Sequence, residues 1–529
     1  MSQKLKKAIK MAYSIGIGVQ NLKSSLGKRV FRAPKKIHLL ILMSLFIVGC
    51  SAESQLPSES SQETVNPTDA DRPNIIVFMT DDQTLEQMRF LPNVEKLIGD
   101  EGTSFINMSV NDSDCCPSRA TFLTGQQSRH HGVLWNVPPT GGFASFKNQE
   151  TTLPVALEAS GYQTLLVGKY LNRYGENIPS DRYVPPGWTD FHGLIWPTES
   201  AYYGSAFFDN GEVIENSVDT YYSGEITKRV ISGLEVSQEA NKPFFALVGY
   251  VAPHARAGVS LEKYRTSPLS VVELLKLELL PIPESQYLDS YASLELPIDP
   301  SFNEASIVDK ANVNQRKLLN SQKLELITKF YRAAAESLKS VDDSVKEIID
   351  YLTANSMLKN TYLIFTSDNG LFYGEHRFLT GKYLPLRPSR SVPLLISGPG
   401  ITKGRVSTSM VSNVDLAPTI AEIAAVELLR KPDGVSLLSE LTSGKSLFVN
   451  RAIYVEGHAP KGKPIIPFEG VVTKDYLYYV LSNGEAEFYD LQSDFYELNN
   501  LMLLDPFNPL ITVAKNALSS FQEVNKVDN

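Results

Sequence analysis

Four short apolar runs, each stopping at a knot of polar residues, set the framework of this chain. Asn74 to Met79 runs into Thr80-Asp81-Asp82, Gly161 to Val167 into Gly168-Lys169, and Pro243 to Val251 into Pro253-His254. Thr361 to Phe365 runs into Thr366-Ser367-Asp368-Asn369-Gly370. Apolar runs of this length predict strands buried on both faces, as in a parallel sheet. Their polar C-terminal ends then gather along the edge where open α/β sheets place ligands. Between them, Leu91 to Gly102 reads as a returning helix, and Ser321 to Leu352 as a long helix or a broken pair on the face of the sheet. Val414 to Val426 reads as another helix. From Arg451 the pattern changes to Tyr- and Val-rich alternation, as in Tyr476-Leu477-Tyr478-Tyr479-Val480 and Phe488-Tyr489-Asp490-Leu491. Residues 255–320 follow no such pattern and read as an insertion near the strand ends.

The N-terminus is of a different kind. Residues 1–36 carry ten Lys or Arg and no acidic residue, and the apolar run Ile37 to Val48 ends in Ile47-Val48-Gly49-Cys50. About twenty apolar residues are needed to span a bilayer, and this run is shorter. It resembles a bacterial lipoprotein signal, which implies cleavage before Cys50, a lipid anchor on that cysteine and a place in the cell envelope, the outer membrane or the periplasm. An ordinary secretory signal or an uncleaved anchor is the alternative. Ser51 to Arg72, rich in Ser, Pro, Glu and Asp, is expected to be a disordered tether. The whole chain has 50 basic and 59 acidic residues in 529; without the ten leader charges the balance is 40 against 59, or −19. That excludes nucleic acid as a natural partner, and an anionic substrate then needs a local basic cleft rather than the global field.

The chemistry concentrates in Cys115-Cys116-Pro117-Ser118-Arg119, followed after three residues by Leu123-Thr124-Gly125. Pro117 suits the first turn of a helix, where its missing N–H costs nothing, and Ala120 to Leu123 are helix formers. Cys115 then stands at a helix N-terminus, which favours an anion. Two buried thiols in an ordinary core would be the plain alternative.

The motif resembles the signature of type I sulfatases, and the resemblance runs from about Arg72 to about Leu501. It implies an α/β fold of the alkaline phosphatase/sulfatase kind, with a large, mostly parallel central sheet flanked by helices and a small C-terminal antiparallel sheet. The expected divisions are a signal at 1–49, a tether at 50–72, a catalytic domain at 73–450 with the insertion 255–320, and a subdomain at 451–529. The resemblance further implies that a maturation enzyme oxidises Cys115 to formylglycine, whose hydrated aldehyde attacks sulfur with one hydroxyl and expels sulfate with the other. It assigns one calcium ion to Asp81, Asp82, Asp368, Asn369 and the oxygen derived from Cys115. A hard set of oxygen donors suits calcium better than zinc. Lys169, His254 and Lys382 match the cationic groups around the sulfate, with His254 as proton donor to the leaving group, and Arg119 lies near enough to hold the modified side chain or a sulfate oxygen.

Gly168-Lys169-Tyr170-Leu171-Asn172, the double cysteine and Pro185-Pro186-Gly187-Trp188 resemble the N-acetylglucosamine-6-sulfatase and heparan sulfate endosulfatase branch. Many sulfatases have a histidine where this chain has Leu171. The group that assists sulfate release is therefore open among Asn172, His130, His131 and His376, with Asn172 and His131 as expected substrate contacts. Hydrolysis of sulfate monoesters on a sulfated sugar is the implied activity. The alternatives are a formylglycine-dependent phosphonate or phosphodiester hydrolase and an unmatured glycan-binding surface lipoprotein. With Cys50 lipidated and Cys115 oxidised, Cys116 alone keeps a thiol and no disulfide framework exists.

Overall fold

The computed structural model describes residues 72–177, 183–256, 280–459 and 466–527. The leader, Cys50 and residues 50–71 of the expected tether lie outside the described residues, as do 257–279 of the expected insertion.

Ten strands among the described residues form one mixed sheet. They are β1 (Asn74–Thr80), β2 (Gly102–Met108), β3 (Gln163–Gly168), β4 (Asp190–Leu194), β5 (Ala206–Asp209), β6 (Glu212–Glu215), β7 (Phe244–Gly249), β8 (Thr361–Ser367), β9 (Leu394–Ser397) and β10 (Arg405–Val411). The order across the sheet is β10-β2-β9-β8-β1-β7-β3-β4-β5-β6. The central run β8-β1-β7-β3-β4 is parallel throughout. It contains all four strands expected from the apolar runs.

Alternation along β1 divides the core in two. Ile75, Val77 and Met79 join one apolar layer with Cys116, Ala120 and Leu123 of the helix Cys115–Thr124 and with Leu416 and Ile420 of the helix Leu416–Ile423. Ile76 and Phe78 join the opposite layer, against the helices Tyr222–Glu239 and Ser321–Ala354. The latter is one continuous helix, with Asn320 accepting from Lys323 N at 3.0 Å as its N-cap. Its buried residues Ile327, Phe330, Tyr331, Ala334, Leu338, Val341, Val345, Ile348 and Leu352 recur every three or four positions, which gives one apolar stripe.

The returning helix is shorter than Leu91 to Gly102 implies. It covers Pro92–Val94 and a wider turn Glu95–Gly99, and the chain enters β2 at Gly102. A Cβ at Gly102 would meet Ile396 O at 2.1 Å, so the close approach of β9 ends the helix there. Strands β11 (Ile453–Gly457), β12 (Phe468–Val472), β13 (Tyr476–Leu481) and β14 (Ala486–Asp490) form the small antiparallel sheet. One face packs on Phe372, Phe378, Leu384 and Leu386 of the main body, and the other on Ile511, Ala514 and Leu518 of the C-terminal helix Pro509–Val527.

At the β4–β5 edge, His192 lies between Asp190 and Asp209, 2.9 Å from each, and Arg229 also binds Asp209. Burial works against a charged imidazole, but the two carboxylates prevail and push His192 up to about 9. A folded-state pKa above the unfolded value of about 6.5 means stabilisation that is full below pH ~6.5 and lost as pH rises through about 9. His192→Gln is expected to lower unfolding free energy by about 1–3 kcal/mol at pH 6. The difference should shrink between pH 6.5 and 9 in denaturant titrations; a constant difference across that window would contradict the assignment.

Candidate active site

The parallel register brings four strand ends to one place. β1 and β8 align Thr80 with Ser367, and Asp368 N donates to Thr80 O at 3.2 Å, so Asp81 and Asp368 leave neighbouring strands side by side. Asp81 N donates to Ala252 O at 3.2 Å, which ties in the segment carrying His254. β3 and β7 align Gly168 with Gly249, and a Cβ at Gly168 would meet Gly249 O at 2.1 Å. Gly168 has φ 100, and both constraints reserve the position before Lys169 for glycine. Asp82 adopts φ 69, left-handed for a non-glycine residue, and Asn369 Nδ2 donates to its Oδ1 at 2.5 Å.

The helix Cys115–Thr124 points its N-terminus at these ends and stops at Gly125, φ 67. Asn136 secures its first turn, accepting from Cys116 N at 2.8 Å and donating to Asp114 Oδ1. Ser118 Oγ donates to Asp368 O and accepts from Asn413 Nδ2 at 2.9 Å. Arg119 Nε donates to Asp368 Oδ2 at 2.7 Å and Nη1 to Lys169 O at 2.8 Å. Arg119 thus fastens the helix to two strand ends, and only its buried Nη2 is left without a partner.

Cys115 is fully buried, with Sγ 3.3 Å from Asp81 Oδ1 and 2.6 Å from Lys382 Nζ. These are contacts of the unconverted thiol, which stands in for the oxygens of a converted side chain. Lys382 Nζ is also 2.6 Å from Asp82 Oδ1 and 3.3 Å from Asn369 Oδ1, and Lys169 Nζ pairs with Asp81 Oδ2. Burial would raise Asp81, yet Lys169, with His254, Arg119 and Lys382, holds it well below the usual carboxylate range. Burial, reinforced by Asp81, pushes Asp368 up to about 6 against the pull of the three cations. Burial and then Asp81 push the Cys115 thiol well above its ordinary range, so it is not prepared to react as a thiolate.

Ligand atoms of Asp81, Asp82, Cys115 and Asp368 all lie within 4.8 Å of one another. With Asn369 Oδ1 beside Lys382 they make an oxygen-rich cradle already arranged around positive charge, and a hard divalent cation fits this donor set. His254 Nε2 is 3.8 Å from Asp82 Oδ2, and its Nδ1 faces Ala255 O at 2.5 Å, which leaves Nε2 toward the cluster. Its side chain is 22% exposed against 1% for Lys169 and 6% for Lys382, so His254 stands at the mouth.

All nine residues expected as catalytic or metal-binding groups therefore meet in one cluster. The expected substrate contacts are placed differently. His131 is buried, with one ring nitrogen 3.1 Å from Thr121 Oγ1 and the other accepting from Val133 N at 3.1 Å. Burial drives its pKa down to about 3, and both nitrogens are occupied away from the cluster. Asn172 lies next to the motif, where its backbone helps to hold the Cys116 thiol, and its buried Oδ1 has no partner. His130 pairs with Asp433 at 2.7 Å and His376 with Glu304 at 2.8 Å, outside the cluster.

Sequence reasoning passed over Asp114, Asn136 and Tyr383. Asp114 adjoins Cys115, has one buried oxygen without a partner, and is pushed by burial up to about 7. Tyr383 follows Lys382 and stacks on Trp135 with ring centroids 5.1 Å apart. Proximity to the motif could have flagged Asp114; nothing local marks Asn136.

A profile of the sulfatase family matches residues 73–426, and a profile of the N-sulphoglucosamine sulphohydrolase C-terminal region matches residues 374–524. Human N-acetylglucosamine-6-sulfatase is 30% identical over 400 residues, which cover 73% of this chain and 67% of that protein. The putative extracellular sulfatase Sulf-1 homolog of Caenorhabditis elegans is 29% identical over 374 residues, 69% of this chain and 48% of that protein, so the chain spans about half of this longer relative. The solved structure of a protein with its substrate D-glucosamine-2-N, 6-O-disulfate superposes with a TM-score of 0.71 at 22% identity. It covers 87% of this chain and 99% of the other, and establishes a shared fold.

Proposed function

The chain belongs to the sulfatase family, and from that premise we propose that it hydrolyses sulfate monoesters on a sulfated sugar through a formylglycine derived from Cys115, beside one calcium ion. What carries this reading is the burial of Cys115 at a helix N-terminus, in contact with Asp81 and Lys382. A formylglycine supplies a geminal pair of hydroxyls, one for attack on sulfur and one for release of sulfate, and calcium supplies two positive charges next to them.

The chain's own groups account for the rest. Asp81, Asp82 and Asp368 formally offset Lys169, Lys382 and Arg119, so the side-chain cluster is near neutral. The two charges of a bound calcium are then available to the anionic ester and to the charge that develops on reaction. Asp81, Asp82, Asp368 and Asn369 would hold the ion. Lys169 and Lys382 orient the sulfuryl oxygens. His254 Nε2, at the mouth, faces the leaving oxygen; since Nδ1–H is committed to Ala255 O, it passes a proton only from the imidazolium, after Nε2 has taken one up from solvent, and burial, which holds this imidazole below its ordinary pKa, makes that proton easier to give up.

Both the human relative and the protein solved with a glucosamine disulfate act on or bind glucosamine sulfates, which supports a 6-O-sulfated glucosamine as the unit cleaved. Sulfate release from N-acetylglucosamine 6-sulfate should exceed release from isomers sulfated elsewhere by about 10²-fold or more in kcat/KM, since a site built on polar contacts rejects misplaced groups. Faster turnover of an aryl phosphonate than of any sulfate ester would overturn this.

Anchoring through Cys50 is proposed from the sequence alone. Activity is expected in the membrane fraction and should move to the soluble fraction in Cys50→Ser; soluble activity in the unaltered chain would point to a plain secretory signal.

A further inference from the structure

The described part of the expected insertion reaches the loop that carries Lys382. Asn303 N donates to Gly374 O at 2.8 Å, His376 N to Ser301 O at 2.7 Å, and Arg377 Nε to Glu304 O at 2.7 Å. Between residues 314–323, the loop 377–384 and the small sheet at Ile466 and Leu481 lies a cleft of about 570 Å³, within the usual size of a ligand site. Arg316, Lys317, Lys323 and Arg377 line it together with Lys382 and Tyr383, and no Asp or Glu is among its described lining residues.

These cations are held in place without being neutralised. Arg377 gives its remaining donors to Arg316 O and Ala305 O, both at 2.8 Å, and carbonyls fix a guanidinium but do not cancel its charge. Arg316 sits over the ring of Phe378, 4.0 Å from its centroid. The nearby carboxylates are engaged with other groups. Glu325 pairs with Lys329 at 2.8 Å, and Glu304 and Asp309 face Lys310 at 3.5 and 3.6 Å. Glu487 accepts from Ala311 N, Asn314 Nδ2 and the hydroxyls of Tyr479 and Tyr489, and Glu485 accepts from Asn312 N. Among the described residues none of the four cleft cations is in an ion pair. In a chain of net charge −9 such a patch opposes the global field and gives a local attraction for anions.

The cleft adjoins the reacting centre, since Lys382 lines it while its Nζ is 2.6 Å from Cys115 Sγ. We propose that it binds the sulfate or carboxylate groups of sugar units next to the one being desulfated. The preferred substrate is then a multiply charged oligosaccharide rather than a singly sulfated monosaccharide. This deepens the sulfatase reading and rests on it.

The test uses Lys317→Glu/Lys323→Glu, whose side chains are solvent-accessible, and Arg316→Ala as a second variant that removes charge without reversing it. With matured enzyme and a heparin-derived hexasaccharide, KM should rise at least tenfold in the double variant, with kcat within twofold and a flatter dependence on salt. Turnover of N-acetylglucosamine 6-sulfate should not change. In parallel, calorimetry on the Cys115→Ala chain should show hexasaccharide binding that falls at least tenfold on adding the two reversals, and little binding of a fully desulfated hexasaccharide. Unchanged KM and unchanged binding, with normal turnover of the monosaccharide, would overturn the cleft and leave the sulfatase reading intact. Charge-dependent hexasaccharide binding without sulfate release from any ester would do the reverse.

Discussion

Cys115→Ala is expected to fold and to lose hydrolysis by a factor of at least about 10⁴ in kcat, because the proposed source of the nucleophile has gone. The thiol is fully buried and held well above its ordinary pKa, and the neighbouring hydroxyls are engaged elsewhere: Ser118 is bound to Asp368 O and Asn413, and Ser367 to Asn369 O and Gln83 N. Removing one sulfur atom costs about 1 kcal/mol in a site whose structure is fixed by Asn136, Arg119 and Ser118. Cys116 offers the internal comparison. Its side chain turns into the apolar layer with Ala120 and Leu123, and burial pushes its thiol up to about 12. Cys116→Ala should therefore cost about 1–2 kcal/mol in stability and keep most of the activity. Circular dichroism with sulfate-release assays on both variants checks this; retention of activity in Cys115→Ala would refute the nucleophile.

Exhaustive chelation is expected to reduce kcat/KM by at least about 10³, and calcium should restore it. Without the ion the three carboxylates and three cations balance, and no net positive charge remains for an anionic ester in a site of buried side chains. Calcium at about 100 times its dissociation constant should also stabilise the fold by about 2.7 kcal/mol, a readout independent of turnover. Asp368→Ala is a less clean probe, because Arg119 and Asp368 form a buried pair at 2.7 Å and loss of one partner alone costs about 3–5 kcal/mol. Asp368→Asn keeps an oxygen toward Arg119 and should bind calcium more weakly with less damage to the fold. Full activity with metal verified absent would contradict the proposed role of the ion.

The active-site cluster was largely legible because its groups stand at sharp boundaries between apolar and polar sequence. Asp81, Lys169, His254 and Asp368 each follow a short apolar run of the kind that forms a buried strand, and a parallel sheet gathers such ends. Strands β2 and β10 carry Thr103, Ser407 and Ser409, buried polar residues whose partners come from other segments, so periodicity does not reveal them. Arg119 could be placed near Cys115, but its commitment to Asp368 and Lys169 O depends on tertiary contacts. The sequence offers His131 as a substrate contact, whereas in the structure the helix end turns it inward to Thr121. The cleft lined by Arg316 and Arg377 joins residues 61 positions apart, and no local pattern announces it.

The most direct measurement couples the chemical state of residue 115 to turnover. Chains prepared with different degrees of maturation would be alkylated, digested and weighed across the peptide containing Cys115 and Cys116, and the same samples assayed for sulfate release. The account predicts an aldehyde at 115 only, an alkylated thiol at 116, and a rate proportional to the fraction converted, falling to zero with it. Undiminished hydrolysis by chains that carry two alkylated thiols, or an aldehyde at 116, would contradict it.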